Sequence, residues 1–234
     1  MVRLADEIVD TYRGDDMAAQ LDAFEAEVYG ACNIGYSSNP VIHAFALTAR
    51  LYRIDRSLIG PFFTSMRVDV RRTAYDQIAY EEYIYGSAEV IGLMCLKVFC
   101  KGDAAQYDTL KDGARALGSA YQKVNFLRDI AADYKELGRL YFPGAVTYDT
   151  FNEADKQTII NDIAADFEAA QPSIDQLPTT ARDAVRLSRR YYSELLDRIE
   201  RTPAEALKTT RVRIPNTRKI WLLLPYWSRM IGRS

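Results

Sequence analysis

Four polar residues near the middle of the chain can share one face only if their segment is helical. Gln122, Asn125, Asp129 and Asp133 follow one another at intervals of three and four residues. Each helical residue turns about 100° around the axis, so the four side chains project within an arc of about 80°. In a strand, side chains alternate between faces and this set would be divided. The spacing therefore predicts a long helix with one polar stripe, which we call the Gln122–Asp133 stripe.

The stripe has apolar surroundings, and a second acidic pair stands at the start of the chain. Asp6 and Asp10 are also four residues apart, which places one carboxylate over the other on a helix. Burying several unpaired anions would be very costly, so we expect a cation at both faces and an interior cavity beside the stripe. The apolar neighbours of the stripe include Tyr121, Val124, Phe126, Leu127 and Ile130.

Oxygen ligands without histidine or thiolate favour Mg²⁺ or Mn²⁺. Mg²⁺ uses one or two carboxylates and completes its octahedron with water and substrate phosphates, so the implied ligand is a diphosphate. Gln122 and Asn125 can hold water or phosphate oxygens, and Arg128 and Arg139 are candidates for direct pairing with phosphate. Metal and arginine together would stabilise a departing diphosphate.

A solvated acidic helix face is the alternative interpretation of each acidic pair. For Asp6 and Asp10 taken alone, it is the commoner meaning. The four-residue stripe is more specific, since at about 5% per residue type its chance occurrence is on the order of one in a thousand. Together the two segments favour a binding site.

Composition argues against several other classes of function. The chain has 30 basic and 32 acidic residues and a formal net charge of −2, without the positive field that general nucleic-acid binding needs. His43 is the only histidine, so zinc sites and serine or cysteine triads are poorly supported. Cys32, Cys95 and Cys100 lack metal-ligand spacing and are expected to be buried, reduced thiols in a cytoplasmic protein.

Apolar residues recur at intervals of three and four along most of the chain, and alternating patterns are nearly absent. The predicted fold is all-α, a single helical domain over residues 1–234 built as a bundle around a central cavity. The predicted helices run from the start to about Arg13, then over Met17 to Asn33, Pro40 to Ile54, Ser57 to Arg72 with an interruption near Pro61, Asp76 to Cys100, Ala104 to Leu137 with a break near Gly113 or Gly118, Glu153 to Ala170, Thr179 to Arg201, and Asn216 to Ile231.

The most apolar segment near the end of the chain covers residues 220–227. It is flanked by Arg218, Lys219 and Arg229 and could rest at a lipid interface. Ordinary core packing is the favoured interpretation, with peripheral membrane contact as the alternative. No apolar run reaches the ~20 residues of a membrane span.

Three segments resemble the squalene/phytoene synthase family, the head-to-head prenyl diphosphate synthases, and the resemblance covers essentially all of the chain. The first is residues 3–10, with the sequence RLADEIVD, and the second is residues 122–133, followed by GRLYFP at 138–143. Between them, EYIYGSAEVIGLM at 82–94 is similar to the family's tyrosine-bearing central helix. The residues of these segments are most similar to those of bacterial phytoene synthases, which implies a prenyltransferase of carotenoid biosynthesis with the fold of terpene synthases.

By this resemblance, two geranylgeranyl diphosphates would condense through prephytoene diphosphate to phytoene, with release of diphosphate. Tyr83 would lie near the departing diphosphate and the reacting carbons, as a proton carrier or cation stabiliser. The implied Mg²⁺ ligands are Asp6, Asp10, Asn125, Asp129 and Asp133. The implied diphosphate-binding residues are Arg3, Gln122, Asn125, Arg128, Tyr192 and Arg211.

Two departures from the family's pattern stand out. A Ser-rich, Phe-containing phosphate-binding segment is expected about forty residues before the first acidic motif, so we expect further N-terminal structure outside these 234 residues. Glu89 replaces a glycine of the central helix, and its position about 120° from Tyr83 favours pairing with an arginine of a neighbouring helix.

Two other functions stay open within the same superfamily. A squalene or dehydrosqualene synthase would use two farnesyl diphosphates, and tunnel depth beside the central helix decides between these chain lengths. A non-catalytic relative that resembles an assembly factor would keep the helical bundle without the catalytic activity. Such a protein would be expected to lose the acidic motifs, which this chain retains.

Overall fold

The computed structural model is helical wherever it describes regular structure, which confirms the all-α prediction. It describes the backbone of residues 1–12, 14, 16–71, 75–137, 141–143 and 148–231. Side chains are described for the same residues except 69–71, 134–137 and 225–231.

Eleven α-helices and one π-helical turn make up the described part of the chain. The first six helices are α1 (Val2–Asp10), α2 (Met17–Ile34), α3 (Pro40–Tyr52), α4 (Arg56–Arg71), α5 (Gln77–Ile84) and α6 (Val90–Phe99), with the π-helical turn Tyr85–Glu89 between the last two. The others are α7 (Ala104–Leu137), α8 (Glu153–Gln176), α9 (Thr179–Glu200), α10 (Ala204–Leu207) and α11 (Asn216–Ile231).

Two predicted interruptions are absent from these helices, and α8 continues past its predicted end at Ala170. Pro61 lies inside α4 and Pro172 inside α8, and α7 passes Gly113 and Gly118 without a break. Burial of the apolar residues beyond each proline offsets its missing backbone hydrogen bond. Phe62 and Phe63 follow Pro61 and are fully buried, and Ile174 after Pro172 is 2% exposed.

The predicted central helix is divided by the π-helical turn, which the sequence analysis did not anticipate. Gly86 lies against α4, and a Cβ at this position would stand 2.0 Å from the Ser65 hydroxyl and 2.4 Å from the Pro61 carbonyl oxygen. A π-helical turn adds one residue to the helix and so rotates the residues that follow it. Tyr83 and the α6 side chains therefore face different parts of the molecule.

The seam between α6 and α7 is closed by glycines. A Cβ on Gly92 would lie 2.6 Å from the carbonyl oxygen of Ala114, and one on Gly118 would lie 2.7 Å from that of Ala88. Gly92 lies against Ala114, whereas the earlier Ala88 lies against the later Gly118, so the two helices run antiparallel. On another side of α7, the buried Lys123 ammonium pairs with Asp162 and Asp166 of α8 at 2.5 and 2.8 Å.

Glu89 pairs with Arg115 of α7 at 2.7 Å, which confirms the predicted arginine partner. All three cysteines are free, but only Cys100 is buried. The expectation of three buried thiols is wrong, because Cys32 is half-buried and Cys95 is exposed on the flank of α6.

Core packing of the α11 segment, the favoured interpretation, is also wrong for the side chains that the structure describes. Leu222 is 2% exposed, whereas Ile220, Trp221 and Leu224 are 60%, 66% and 49% exposed. The reason is that the described part of α11 packs on α9 through the side that carries Arg218, which pairs with Glu194, and the buried Leu222. Within the described residues, no helix combines the length and the apolar character needed to cross a membrane.

Candidate active site

The Gln122–Asp133 stripe lies on α7 as the spacing predicts. Gln122, Asn125, Asp129 and Asp133 are all half-buried, while the intervening apolar side chains are buried in the core. The buried ones are Val124, Phe126, Leu127 and Ile130. The stripe is therefore a polar edge beside the buried positions of this part of the helix.

Asp129 forms ion pairs with two arginines. Arg128 donates from Nε and Nη2 to its two carboxylate oxygens at 2.9 and 2.6 Å. Arg211, from the segment between α10 and α11, donates from Nη2 to Oδ2 at 3.1 Å, and its Nε forms an ion pair with Oδ1 at 2.6 Å. The two guanidiniums and one carboxylate carry a net charge of +1, which suits a phosphate group.

Tyr192 of α9 connects the stripe to an aromatic wall. Its hydroxyl donates to Oδ1 of Asn125 at 3.5 Å, and its ring stacks on that of Tyr121 with centroids 3.9 Å apart. Burial raises the pKa of Tyr121 to about 12, and the nearby Ser188 hydroxyl opposes this shift. Tyr121 therefore stays a neutral phenol at the junction between polar and apolar surfaces.

An apolar cavity of about 470 Å³ begins at this junction and follows the α6–α7 seam. Gln122, Tyr121 and Ser87 line it at one end, and Phe99, Leu110 and Leu177 line it at the other. Within the described residues, the buried hydroxyls of Ser87 and Tyr121 form no hydrogen bond of acceptable distance and angle. The cavity is thus a long apolar space whose polar groups gather near the stripe.

The first acidic motif lies on α1. Burial, followed by repulsion from Asp10, raises the pKa of Asp6 to about 6. Arg3, predicted to bind substrate, is exposed and forms an ion pair with Glu7 one turn along the same helix. The crowding of Asp6 and Asp10 suits a divalent cation, which would relieve their repulsion.

The two acidic motifs border the same region but do not form one cluster. Val2 of α1 and Gln122 of α7 line the same cavity. Nowhere in the described part of the chain do three His, Cys, Asp or Glu side chains gather closely enough to hold one metal ion. The reason lies in the packing, since α1 contacts mainly α2 and α4, whereas α7 contacts α6 and α8.

Tyr83 belongs to an aromatic cluster instead of the cavity wall. Its ring is 5% exposed, and its centroid lies 5.4 Å from that of Tyr75, 5.1 Å from Tyr141 and 6.0 Å from Phe126. Its proposed contact with the reacting carbons remains a prediction. Arg139, the other predicted phosphate partner, lies outside the described residues.

The cavity-lining residues of α6, α8 and α9 were not identified from the sequence. Ser87 lies in the π-helical turn and Cys95 lies after it, and both line the cavity through a rotation of the helix that no local pattern signals. Gly92 and Gly118 could have indicated the close seam, because glycine inside a helix often marks close packing. Tyr121 was predicted only as an aromatic neighbour of the stripe, and the structure adds its stacking partner.

The chain is similar to curated phytoene synthases. It is 27% identical to phytoene synthase 3 of Zea mays over 94% of this chain and 55% of the relative, and 28% identical to phytoene synthase 2 of Solanum lycopersicum over 85% and 69%. A bifunctional lycopene cyclase/phytoene synthase of Pyrenophora tritici-repentis is 29% identical over 64% of this chain. The chain spans 28% of the length of the Pyrenophora protein and 55% of the length of the Zea mays protein.

Solved structures share the fold. A squalene synthase from Alicyclobacillus acidocaldarius matches with a TM-score of 0.73 at 24% identity, covering 86% of this chain and 79% of its own. A dehydrosqualene synthase in complex with ligand matches with a TM-score of 0.79 at 21% identity, covering 99% and 84%. Because residues 1–218 also match the family model for squalene/phytoene synthase, this chain belongs to the squalene/phytoene synthase family.

Proposed function

We propose that this chain catalyses the Mg²⁺-dependent, head-to-head condensation of two geranylgeranyl diphosphates through prephytoene diphosphate to phytoene. The observation that carries the proposal is the apolar cavity that begins at the Gln122–Asp133 stripe and extends along α6 and α7. One end offers charge and hydrogen bonds for a diphosphate, and the rest offers an apolar surface for a prenyl tail.

The length of the cavity supports a C20 tail. Gln122 and Leu110 lie at its two ends, and twelve residues of helix advance about 18 Å. An extended chain advances about 3.5 Å per three backbone bonds, so a tail of four isoprene units needs about 18 Å and one of three units about 13 Å. The cavity therefore suits geranylgeranyl better than farnesyl.

The residues of the chain divide the work between the two ends of the substrate. Arg128 and Arg211 would neutralise the departing diphosphate, and Gln122 and Asn125 would hydrogen-bond its oxygens. The apolar walls keep water from the allylic cation, and the stacked rings of Tyr121 and Tyr192 present π-electron density beside it.

Asp6, Asp10, Asp129 and Asp133 would hold Mg²⁺, with Mn²⁺ as a substitute, and their all-oxygen donor set fits these ions. Bound Mg²⁺ would supply positive charge to the diphosphate oxygens. The fit is better for Asp6 and Asp10, whose crowding a cation relieves, than for Asp129, which already binds two arginines.

Product analysis tests the proposal. The chain, and any longer natural form of it, is supplied with Mg²⁺ and with geranylgeranyl or farnesyl diphosphate in parallel. We expect phytoene from the C20 substrate as the main hydrocarbon. A C30 product alone would favour the second candidate, a squalene or dehydrosqualene synthase, which the two solved structures of the same fold keep open.

Peripheral membrane contact through α11 is part of the proposal, because a C40 hydrocarbon needs an apolar phase. Ile220, Trp221, Leu223 and Leu224 are exposed on this helix, next to the cationic Lys219. Co-sedimentation with phosphatidylglycerol vesicles should fall several-fold in the double variant Ile220→Ser and Leu224→Ser. Equal sedimentation of the variant and the parent chain would contradict the contact.

A further inference from the structure

Guanidinium nitrogens contact both carboxylate oxygens of Asp129 from two sides. Arg128 donates a hydrogen bond to each oxygen, at 2.9 and 2.6 Å. Arg211 donates to Oδ2 at 3.1 Å, and its Nε lies 2.6 Å from Oδ1. A cation that binds Asp129 must therefore compete with these arginines.

The two arginines differ in how easily they can leave. Arg128 is the next residue on α7, and its side chain is 21% exposed. Arg211 lies outside any helix, and its side chain is 46% exposed. The buried residues Lys208 and Ile214 flank its segment on either side. Arg211 is thus the partner that can move while its segment stays attached at both ends.

Charge decides which ligand can displace it. A divalent cation alone has to compete with the two arginines that already pair with Asp129. A diphosphate is attracted to the two guanidiniums and offers Arg211 a new bidentate partner of higher charge. Once Arg211 has turned to the diphosphate, its side of the Asp129 carboxylate is free for the cation.

We propose that Arg211 is a latch that couples cation binding to diphosphate binding: it occupies Asp129 until a diphosphate draws it away. This inference rests on the proposed function, since it assumes that Asp129 binds a divalent cation. Such coupling is reciprocal, so the cation should strengthen diphosphate binding by the same factor. Arg211 is a positioning residue in this role, because it acts through Asp129.

Binding measurements test the latch without turnover. Mn²⁺ affinity is measured by electron paramagnetic resonance, with and without saturating inorganic diphosphate. In the parent chain we expect diphosphate to tighten Mn²⁺ binding about tenfold or more, within the usual range of coupling between sites. In Arg211→Gln, Mn²⁺ alone should bind several-fold more tightly than in the parent chain, and the enhancement by diphosphate should shrink. An arginine that merely stabilised the fold would not produce tighter cation binding.

Arg213→Gln is the matched control, because Arg213 is an exposed arginine of the same segment. It should behave like the parent chain, and circular dichroism verifies that each variant is folded. Weaker or unchanged Mn²⁺ binding in Arg211→Gln overturns the latch, as does an equal change in Arg213→Gln. If Mn²⁺ and diphosphate binding are coupled but no prenyl product forms, the proposed function is rejected and the latch is retained. If product forms without this coupling, only the latch is rejected.

Discussion

The Asp6 carboxyl on α1 makes the stability of the folded chain depend on pH. Its pKa is raised from 3.8 to about 6 by burial and by Asp10. The folded chain therefore holds this proton more tightly than the unfolded chain does. The resulting stabilisation is complete below about pH 4 and is lost as the pH rises through 6.

Asp6→Asn should accordingly stabilise the protein at neutral pH in metal-free buffer. A shift of about two units corresponds to about 3 kcal/mol, and partial exposure of the group reduces the expected gain to about 1–2 kcal/mol. Urea unfolding at pH 7 and pH 4 measures the effect. The gain should appear at pH 7 and nearly vanish at pH 4, and an equal gain at both would contradict the assigned cause.

Gly118 of α7 lies in close contact with the backbone of the π-helical turn that precedes α6. An added Cβ would lie 2.7 Å from the Ala88 carbonyl oxygen and 3.0 Å from the Glu89 Cα. Both are backbone atoms and cannot turn aside. The seam also forms the wall of the cavity, so a shift here changes the shape of the cavity.

Gly118→Ala should lower the free energy of unfolding by about 1–3 kcal/mol, the usual cost of overpacking. Gly30→Ala is the matched control, because Gly30 lies inside α2 and nothing stands within 4 Å of its added Cβ. The control should stabilise by about 0.5–1 kcal/mol through helix propensity. Chemical denaturation of both variants checks the pair, and two changes of the same sign would refute the packing argument.

On the scale of the whole molecule, the distance between the stripe and the far end of the cavity determines the substrate length that we propose. Cys95 lies on the cavity wall, four residues before Phe99 at the far end. Four helical residues advance about 6 Å, somewhat more than one isoprene unit. A bulky side chain at Cys95 would therefore exclude the last unit of a C20 tail.

Cys95→Phe should shift the product from C40 towards C30 hydrocarbons when both substrates are supplied. Because Cys95 is exposed, the substitution should cost little stability. Cys95→Ser keeps the size of the side chain and should keep the product of the parent chain. Gas chromatography of the extracted hydrocarbons measures the ratio, and an unchanged ratio in Cys95→Phe would place the length-determining contact elsewhere.

The helices could be predicted because their signals are local. Asn39 caps α3 through the amides of Val41 and Ile42, as Asn-Pro at the first turn predicts. The position of the stripe on α7 follows from residue spacing alone, and so did the expectation that Glu89 would meet an arginine. The predicted interruptions at Pro61 and at Gly113 or Gly118 were wrong, because burial and close packing outweigh the local tendencies of these residues.

An all-helical protein with acidic pairs four residues apart and a polar stripe in apolar surroundings can be predicted from the sequence, since periodicity and charge are properties of neighbouring residues. The contact between Arg211 and Asp129, 82 residues apart along the chain, depends on how the helices pack. That packing also places Tyr83 among aromatic rings and leaves one face of α11 exposed. These outcomes depend on which helix faces meet, and contacts between distant segments carry no local pattern from which they can be derived.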